Sequence, residues 1–301
     1  MGAALPSERA KLIVVCGATG RQGGSVARRL LADGWAVRGL TRDPNGKKAT
    51  GLRTTKAEVV QADMADRSSL SRAFEGAYGV YSVQNPMISG DDAEVVQGKN
   101  VADVALESGV QHLVYGSAGP GTPGTGVRQW DNKLEIEEHM RDLGLPLTVL
   151  RPMAFMELMN DKGFYPSVST WHVMPKLMGW DRPVLWASVG DLAVIAATAL
   201  AKPEDFAGRT ISVLGDVKSL AECRTLWREV TGRAPRAFPM PVSMFERFVG
   251  KDLPWMWRWL RENPFMADPK ESREIHPGVL TVRDWIARQH GRPVEAGERA
   301  S

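Results

Sequence analysis

The feature that most constrains this chain is a repeated change of hydrophobic period along its first half. Continuous apolar runs rich in Val, Ile and Leu occur at Leu12–Cys16, Ala36–Leu40, Glu58–Gln61, Val80–Val83, His112–Tyr115 and Leu147–Leu150. Such runs suit strands covered by helices on both faces, where neither side of the pleat meets water. Between them lie helical patterns over Gln22–Asp33, Asn45–Arg53, Ser68–Glu75, Asp91–Ser108 and Gln129–Leu143. In the first, Val26 and Leu30 share a face; the third has two candidate caps, Ser68–Ser69 and Asp66. Gly34, Gly109 and Gly144 each follow a helical run, where a left-handed residue commonly ends the helix. Alternation of this kind predicts an α/β fold, a Rossmann-like doubly wound parallel sheet.

After Arg151 the texture changes: Pro, Met and Trp become frequent and the apolar runs lose their spacing. The helix pattern Gly190–Ala201 and the strand pattern Arg209–Leu214 still belong to the first architecture. We therefore expect a main domain over residues 1–157 with returning elements from 187–232. A smaller C-terminal, α-rich domain is expected from 158–186 and 233–301.

Composition removes several classes. Basic and acidic residues number 38 and 35, interspersed, for a net charge of +3, which leaves no nucleic-acid arm or membrane-surface stripe. The two cysteines, Cys16 and Cys223, do not make a disulfide framework. Residues 1–10 lack the apolar core of a signal peptide, and no apolar run is long enough to span a bilayer. A cytoplasmic protein, with no membrane contact and no direct nucleic-acid contact, is the expectation. His112, His139, His172, His276 and His290 show no metal-ligand spacing, and no GxSxG nucleophile elbow occurs.

The strongest local signal is Gly17-Ala18-Thr19-Gly20-Arg21-Gln22-Gly23, which follows a buried strand and opens a helix. Glycine there lets the backbone turn tightly and approach a pyrophosphate, while the helix start offers free N–H groups and partial positive charge. The spacing is GxxGxxG, and the strand–turn–helix context makes the pattern informative. At the tip of the second strand stands Arg42, 22 residues after Gly20, followed by Lys47 and Lys48. An arginine at that place accommodates the 2′-phosphate of NADP, whereas an acid would hold the ribose hydroxyls of NAD. Arg21 is a second candidate for that phosphate, and Asp43 leaves a ribose contact open. Asp63 and Met64 close the third strand, where adenine normally lies, although Asp63 is equally a candidate helix cap. Gln84 and Asn85 close the fourth.

A short-chain dehydrogenase carries Tyr-x-x-x-Lys on the helix after the fifth strand. Here the four tyrosines, Tyr78, Tyr81, Tyr115 and Tyr165, are followed four residues later by Ser82, Asn85, Gly119 and Ser169. The relevant helix instead reads Gln129-Trp130-Asp131-Asn132-Lys133, so the lysine is kept and the acid is replaced by an amide, which cannot act as a general acid. Lys133 is either a cofactor-positioning residue, the one catalytic candidate, or a solvated helix charge.

The segments GATGRQGGSVARRLLADGWAVRGLTRDP, AEVVQADMAD, WDNKLEIEEHMRDLGLPLTVLRP and HPGVLTVRDWIARQHG together resemble the NmrA-like family, atypical short-chain dehydrogenases that bind NADP(H). The resemblance implies pyrophosphate contacts at Gly17 through Gln22 and a 2′-phosphate contact at Arg42. It also implies adenine contacts at Asp63 and Met64, further contacts at Gln84 and Asn85, and a ribose contact at Lys133. The stretch Phe155, Met156, Glu157 and Leu158 would flank the nicotinamide. Leu158 stands where the sensor members carry Asn, and Gln129 where they carry His. Two functions are therefore expected of such a chain. One is an oxidoreductase acting on a small apolar or aromatic acceptor such as a quinone or enone. The other is a redox sensor without turnover, acting on a protein partner; in either case a monomer or homodimer is expected. Trp255, Trp257 and Trp259 either line an apolar pocket for the first or pack a small domain.

Overall fold

The computed structural model describes residues 11–86, 90–160, 169–237 and 239–292. Residues 1–10, where a leader peptide was read as absent, and 161–168 of the Met- and Trp-rich segment lie outside them.

Seven strands form one sheet in the order β3-β2-β1-β4-β5-β6-β9. They are β1 (Leu12–Val15), β2 (Ala36–Thr41), β3 (Glu58–Gln61), β4 (Gly79–Ser82), β5 (His112–Gly116), β6 (Leu147–Pro152) and β9 (Thr210–Val213). The pairs β1–β2, β1–β4, β2–β3, β4–β5 and β6–β9 are all parallel. The order reverses at β1, with β2 on one side and β4 on the other, as in a doubly wound sheet. Helices Arg21–Ala32, Lys47–Arg53, Arg67–Phe74, Asp91–Glu107 and Arg128–Asp142 occupy the connections expected from the sequence.

Local chemistry accounts for these elements. Val14 and Val15 are fully buried β-branched residues in β1, and Val26, Ala27 and Leu30 form the buried face of the following helix. Each such Val or Leu side chain withdrawn from water contributes about 1.5–3 kcal/mol. That helix ends at Gly34 (φ +89°), where the N–H of Trp35 donates to the Leu30 carbonyl. The cap of helix Arg67–Phe74 is Asp66, whose carboxylate accepts from the Ser68 N–H at 3.0 Å.

The chain divides into two compact units. The first comprises the described parts of residues 1–116, 136–148 and 196–209; the second comprises those of 117–135, 149–195 and 210–301. The second unit holds a feature the sequence pattern did not announce, a three-stranded sheet in the order β10-β8-β7. Here β7 is Ala154–Phe155, β8 is Pro183–Ala187 and β10 is Asp216–Ser219, with β8 antiparallel to β10 and parallel to β7. Its helices include Val242–Val249, Asp252–Glu262, Lys270–Ile275 and Val282–Gln289. Their core joins Met156, Met159, Trp171, Trp186, Trp227 and Trp257. No described helix is long and apolar enough to cross a membrane.

Candidate functional site

In the first unit, the ends of β1 to β4 carry the residues singled out in the glycine loop and beyond. Gly17 has φ +64°, and a Cβ there would stand 3.1 Å from the Val83 side chain. The Gly20 N–H donates to the Gly17 carbonyl at 2.8 Å, closing the turn. At Gly23 a Cβ would fall 2.4 Å from the Gly17 oxygen and 2.7 Å from the Cys16 oxygen, so no side chain fits. Gly24, which the sequence reading passed over, is nearly as tight, 2.9 Å from the Ala18 oxygen. These contacts hold the start of helix Arg21–Ala32 directly against the end of β1. That start has no side-chain cap and no acidic residue in its first turn. A helix start of this kind, with its positive dipole end, is the chemistry that suits an anion. Gln22 is drawn inward: the fully buried Tyr81 hydroxyl donates to its Oε1 at 3.2 Å, and burial pushes that phenol up.

Arg42 is exposed at the tip of β2, and its guanidinium bonds to no described residue. Asp43 is occupied. Its carboxylate accepts from the Asn45 N–H at 3.1 Å, its own N–H donates to Thr41 Oγ1, and a Cβ on Gly46 would meet its Oδ2 at 2.5 Å. The acid that left NAD open is thus folded into its own turn, while Arg42, Lys47 and Lys48 remain exposed.

Asp63 accepts from the Ala65 N–H at 2.9 Å through its side chain, and its N–H donates to Ser69 Oγ at 3.0 Å, so it shapes the loop while Asp66 caps the helix. Gln84 is buried; its amide donates to Ser82 Oγ at 2.9 Å and contacts Met64 Sδ at 3.6 Å. Asn100, which carried no motif signal, donates to the carbonyls of Met64 and Ala65 at 3.0 and 3.3 Å. Met64, Gln84 and Asn100 thus form one hydrogen-bonded group, which Ala65 joins to Asp63, with Asn85 exposed. The link to Asn100 was invisible because a polar residue on a helix reads as solvated until its partner is placed.

The second unit carries Lys133 and the stretch from Phe155. Lys133 is only 7% exposed, which is not the state of a solvated helix charge. Three residues before it, Trp130 is buried over Gly119 and meets Trp259 edge to face at 5.4 Å. Phe155 is buried and Met156 belongs to the apolar core. Glu157 accepts from the Val189 N–H at 3.1 Å, and burial raises its carboxyl above the usual range. Leu158 borders a narrow apolar pocket of about 50 Å³, shared with Met174, Met178, Met256 and Trp257. The three tryptophans divide: Trp257 stacks on Phe245 at 5.7 Å and lines the pocket, Trp259 packs on Trp130, and Trp255 is exposed. No cluster that would hold a metal ion occurs among the described residues.

Known proteins resemble this chain. An NmrA-like family domain-containing oxidoreductase of Aspergillus campestris is 33% identical over 258 residues, covering 77% of this chain and 76% of the relative. A (4-alkanoyl-5-oxo-2,5-dihydrofuran-3-yl)methyl phosphate reductase of Streptomyces griseus is 34% identical over 242 residues, covering 78% and 77%. The triphenylmethane reductase of Citrobacter sp., solved with NADP(H), shares the fold with a TM-score of 0.74 at 20% identity, over 92% of this chain and 99% of that one. The NmrA-like family model matches residues 9–285, and the chain belongs to that family.

Proposed function

We propose that this chain binds NADP(H) and reduces a small conjugated acceptor without the tyrosine acid of other short-chain dehydrogenases. The carrying observation is the uncapped, acid-free helix start held against the glycine turn, where Gly23 leaves no room even for a methyl group. That cradle fits a pyrophosphate, received by the backbone of Gly17, Ala18, Thr19, Gly20, Arg21, Gln22 and Gly23. Arg42 would hold the 2′-phosphate, since it is exposed and its guanidinium bonds to no described residue while Asp43 is occupied. Asp63, Met64, Gln84 and Asn85 would receive the adenine end, and Lys133 the nicotinamide ribose. The cofactor-binding domain would then be 1–157 with 187–232, and Phe155, Met156, Glu157 and Leu158 would flank the nicotinamide.

When bound, NADPH would supply the hydride, and the acceptor would take the balancing proton from water. A quinone or enone suits such a step, because its reduced form is stable before that proton arrives. Support comes from the enclosed apolar pocket beside Leu158, the kind of lining an apolar acceptor needs. The reductase relative of Streptomyces griseus and the NADP(H)-bound reductase of Citrobacter sp. are consistent with the same chemistry. The test is loss of reduced-nicotinamide absorbance with a panel of quinones, enones and dyes, alongside calorimetric titration of NADPH and NADH. Equal or tighter binding of NADH overturns the cofactor preference. The missing tyrosine favours a second reading, a redox sensor whose surface reports the NADPH/NADP⁺ ratio to a protein partner. No turnover with any acceptor, together with a large proteolysis difference between the NADPH and NADP⁺ forms, selects that reading.

A further inference from the structure

An assembly of unlike surfaces lies wholly within the second unit. The apolar pocket at Leu158 has fifteen lining residues, of which five are methionines and one, Arg182, is charged. Arg182 and Met178 also line an adjoining open groove whose other walls include Lys176, Asp181 and Arg261. Three cations and one carboxylate thus line the groove that shares Arg182 and Met178 with the apolar slot. Arg182 and Arg261 are both exposed, and neither forms an ion pair or hydrogen bond with a described residue. Lys176 is turned toward His172, donating to its Nε2 at 2.7 Å. An arginine fork left unpaired beside an apolar opening is set to receive a carboxylate or phosphate through two parallel bonds.

The size of the slot narrows the ligand further. At about 50 Å³ it is a third of the roughly 150 Å³ engineered cavity that takes benzene. A slender alkyl chain needs less displacement of the flexible methionines than a ring does, and enters such a slot more readily. A neutral, flat acceptor would use neither Arg182 nor Arg261.

We propose that the second unit binds an amphiphilic small molecule, its alkyl chain in the methionine-lined pocket and its anionic head on Arg182 and Arg261. This deepens the reading of the chain as a reductase and rests on it for the identity of the ligand as substrate: the acceptor would be a conjugated carbonyl compound bearing an alkyl chain and an anionic group. The head is a carboxylate or a phosphate ester, and the probes below separate the two.

Titration calorimetry on the full chain with n-hexyl phosphate, hexanoate, n-hexanol and inorganic phosphate tests the site, with NADPH titrated separately. At least one hexyl anion should bind saturably, and about tenfold or more tighter than both hexanol and inorganic phosphate; the tighter of the two names the head. Arg182→Gln and Arg261→Gln should each weaken that anion about tenfold, the loss of one charge-assisted contact, and leave hexanol unchanged. Ala154→Leu, which fills the slot, should weaken every hexyl compound while leaving inorganic phosphate alone, with the fold of each variant checked by circular dichroism. The proposal is overturned if neither hexyl anion binds better than inorganic phosphate, or if both arginine variants bind the anion as the parent does. NADPH binding with no hexyl-anion binding leaves the reductase reading standing and removes this one. Arginine-dependent anion binding without NADPH binding keeps the site and removes the reductase reading.

Discussion

The glycine loop of the first unit and the methionine–tryptophan pocket of the second solve opposite problems. Between Gly17 and Gly23 the shape is set by main chain: carbonyls 2.4 and 2.7 Å from where a Cβ would stand leave one permissible residue. Around Trp257 the shape is set by side chains, five methionines and stacked or edge-on rings that fill space without fixing it. A cofactor that is the same in every turnover suits a rigid backbone cradle; a variable organic ligand suits a wall of adaptable thioethers. The difference teaches that substitutions in the two regions should fail differently, the first by strain and the second by cavity.

The largest effect expected is Trp257→Ala. It removes a ring 3% exposed and stacked on Phe245, at a cost of about 3–5 kcal/mol in chemical denaturation. Any fraction still folded should bind NADP(H) as tightly as before, and a parallel loss of cofactor affinity would break the contrast between the regions. Next comes Gly23→Ala. One methyl group forced against two carbonyls should cost about 3 kcal/mol and abolish measurable NADP(H) binding, whereas the same change at Gly34, where a Cβ meets nothing, should leave binding intact.

Arg42→Ala is milder and acts on binding alone. It should weaken NADP(H) by about 1.5–3 kcal/mol in calorimetry and leave NAD(H) unchanged; equal weakening of both would show that Arg42 does not read the 2′-phosphate. The most gradual effect, spread across a pH window, concerns His112. His112 is buried in β5, its Nε2 2.8 Å from Thr148 Oγ1, whose own hydroxyl donates to the Phe206 carbonyl. Burial lowers the imidazole to about 4, from an ordinary value near 6.5. Below 6.5 the unfolded chain takes up a proton that the folded one refuses, so this stability is complete above pH 6.5 and is lost as pH falls toward 4. Denaturation across that window should show the slope in the parent and a flatter profile in His112→Gln; an unchanged slope would acquit the histidine.

Much of the first unit was legible because its signals are local. The apolar runs marked β1 to β6 to within two residues at each end, and the glycine spacing located the turn that Gly17 and Gly23 build. Asp66 and Ser68–Ser69 were indistinguishable as caps on paper, and only the bond from the Ser68 N–H to the Asp66 carboxylate chose between them. Asp43 was ambiguous for the same reason: its charge is in the sequence, but its commitment to the Asn45 turn is a matter of coordinates. In the second unit the strands β7, β8 and β10 were missed. They are two, five and four residues long, β8 begins at a proline, and each is completed by a strand distant in the chain.

By itself, then, the order of residues determined the alternating strands and helices, the glycine turn after β1, the arginine at the tip of β2 and the loss of the tyrosine acid. All of these depend on neighbours within about a turn of chain or on the bare identity of a side chain. Tertiary structure alone decided that Lys133 is buried, that Asn100 holds the Met64 loop, that Trp257 lines a pocket while Trp255 does not, and that Arg182 and Arg261 share a groove. Each of those facts is a relation between residues far apart in sequence, and packing creates it only when the chain closes on itself.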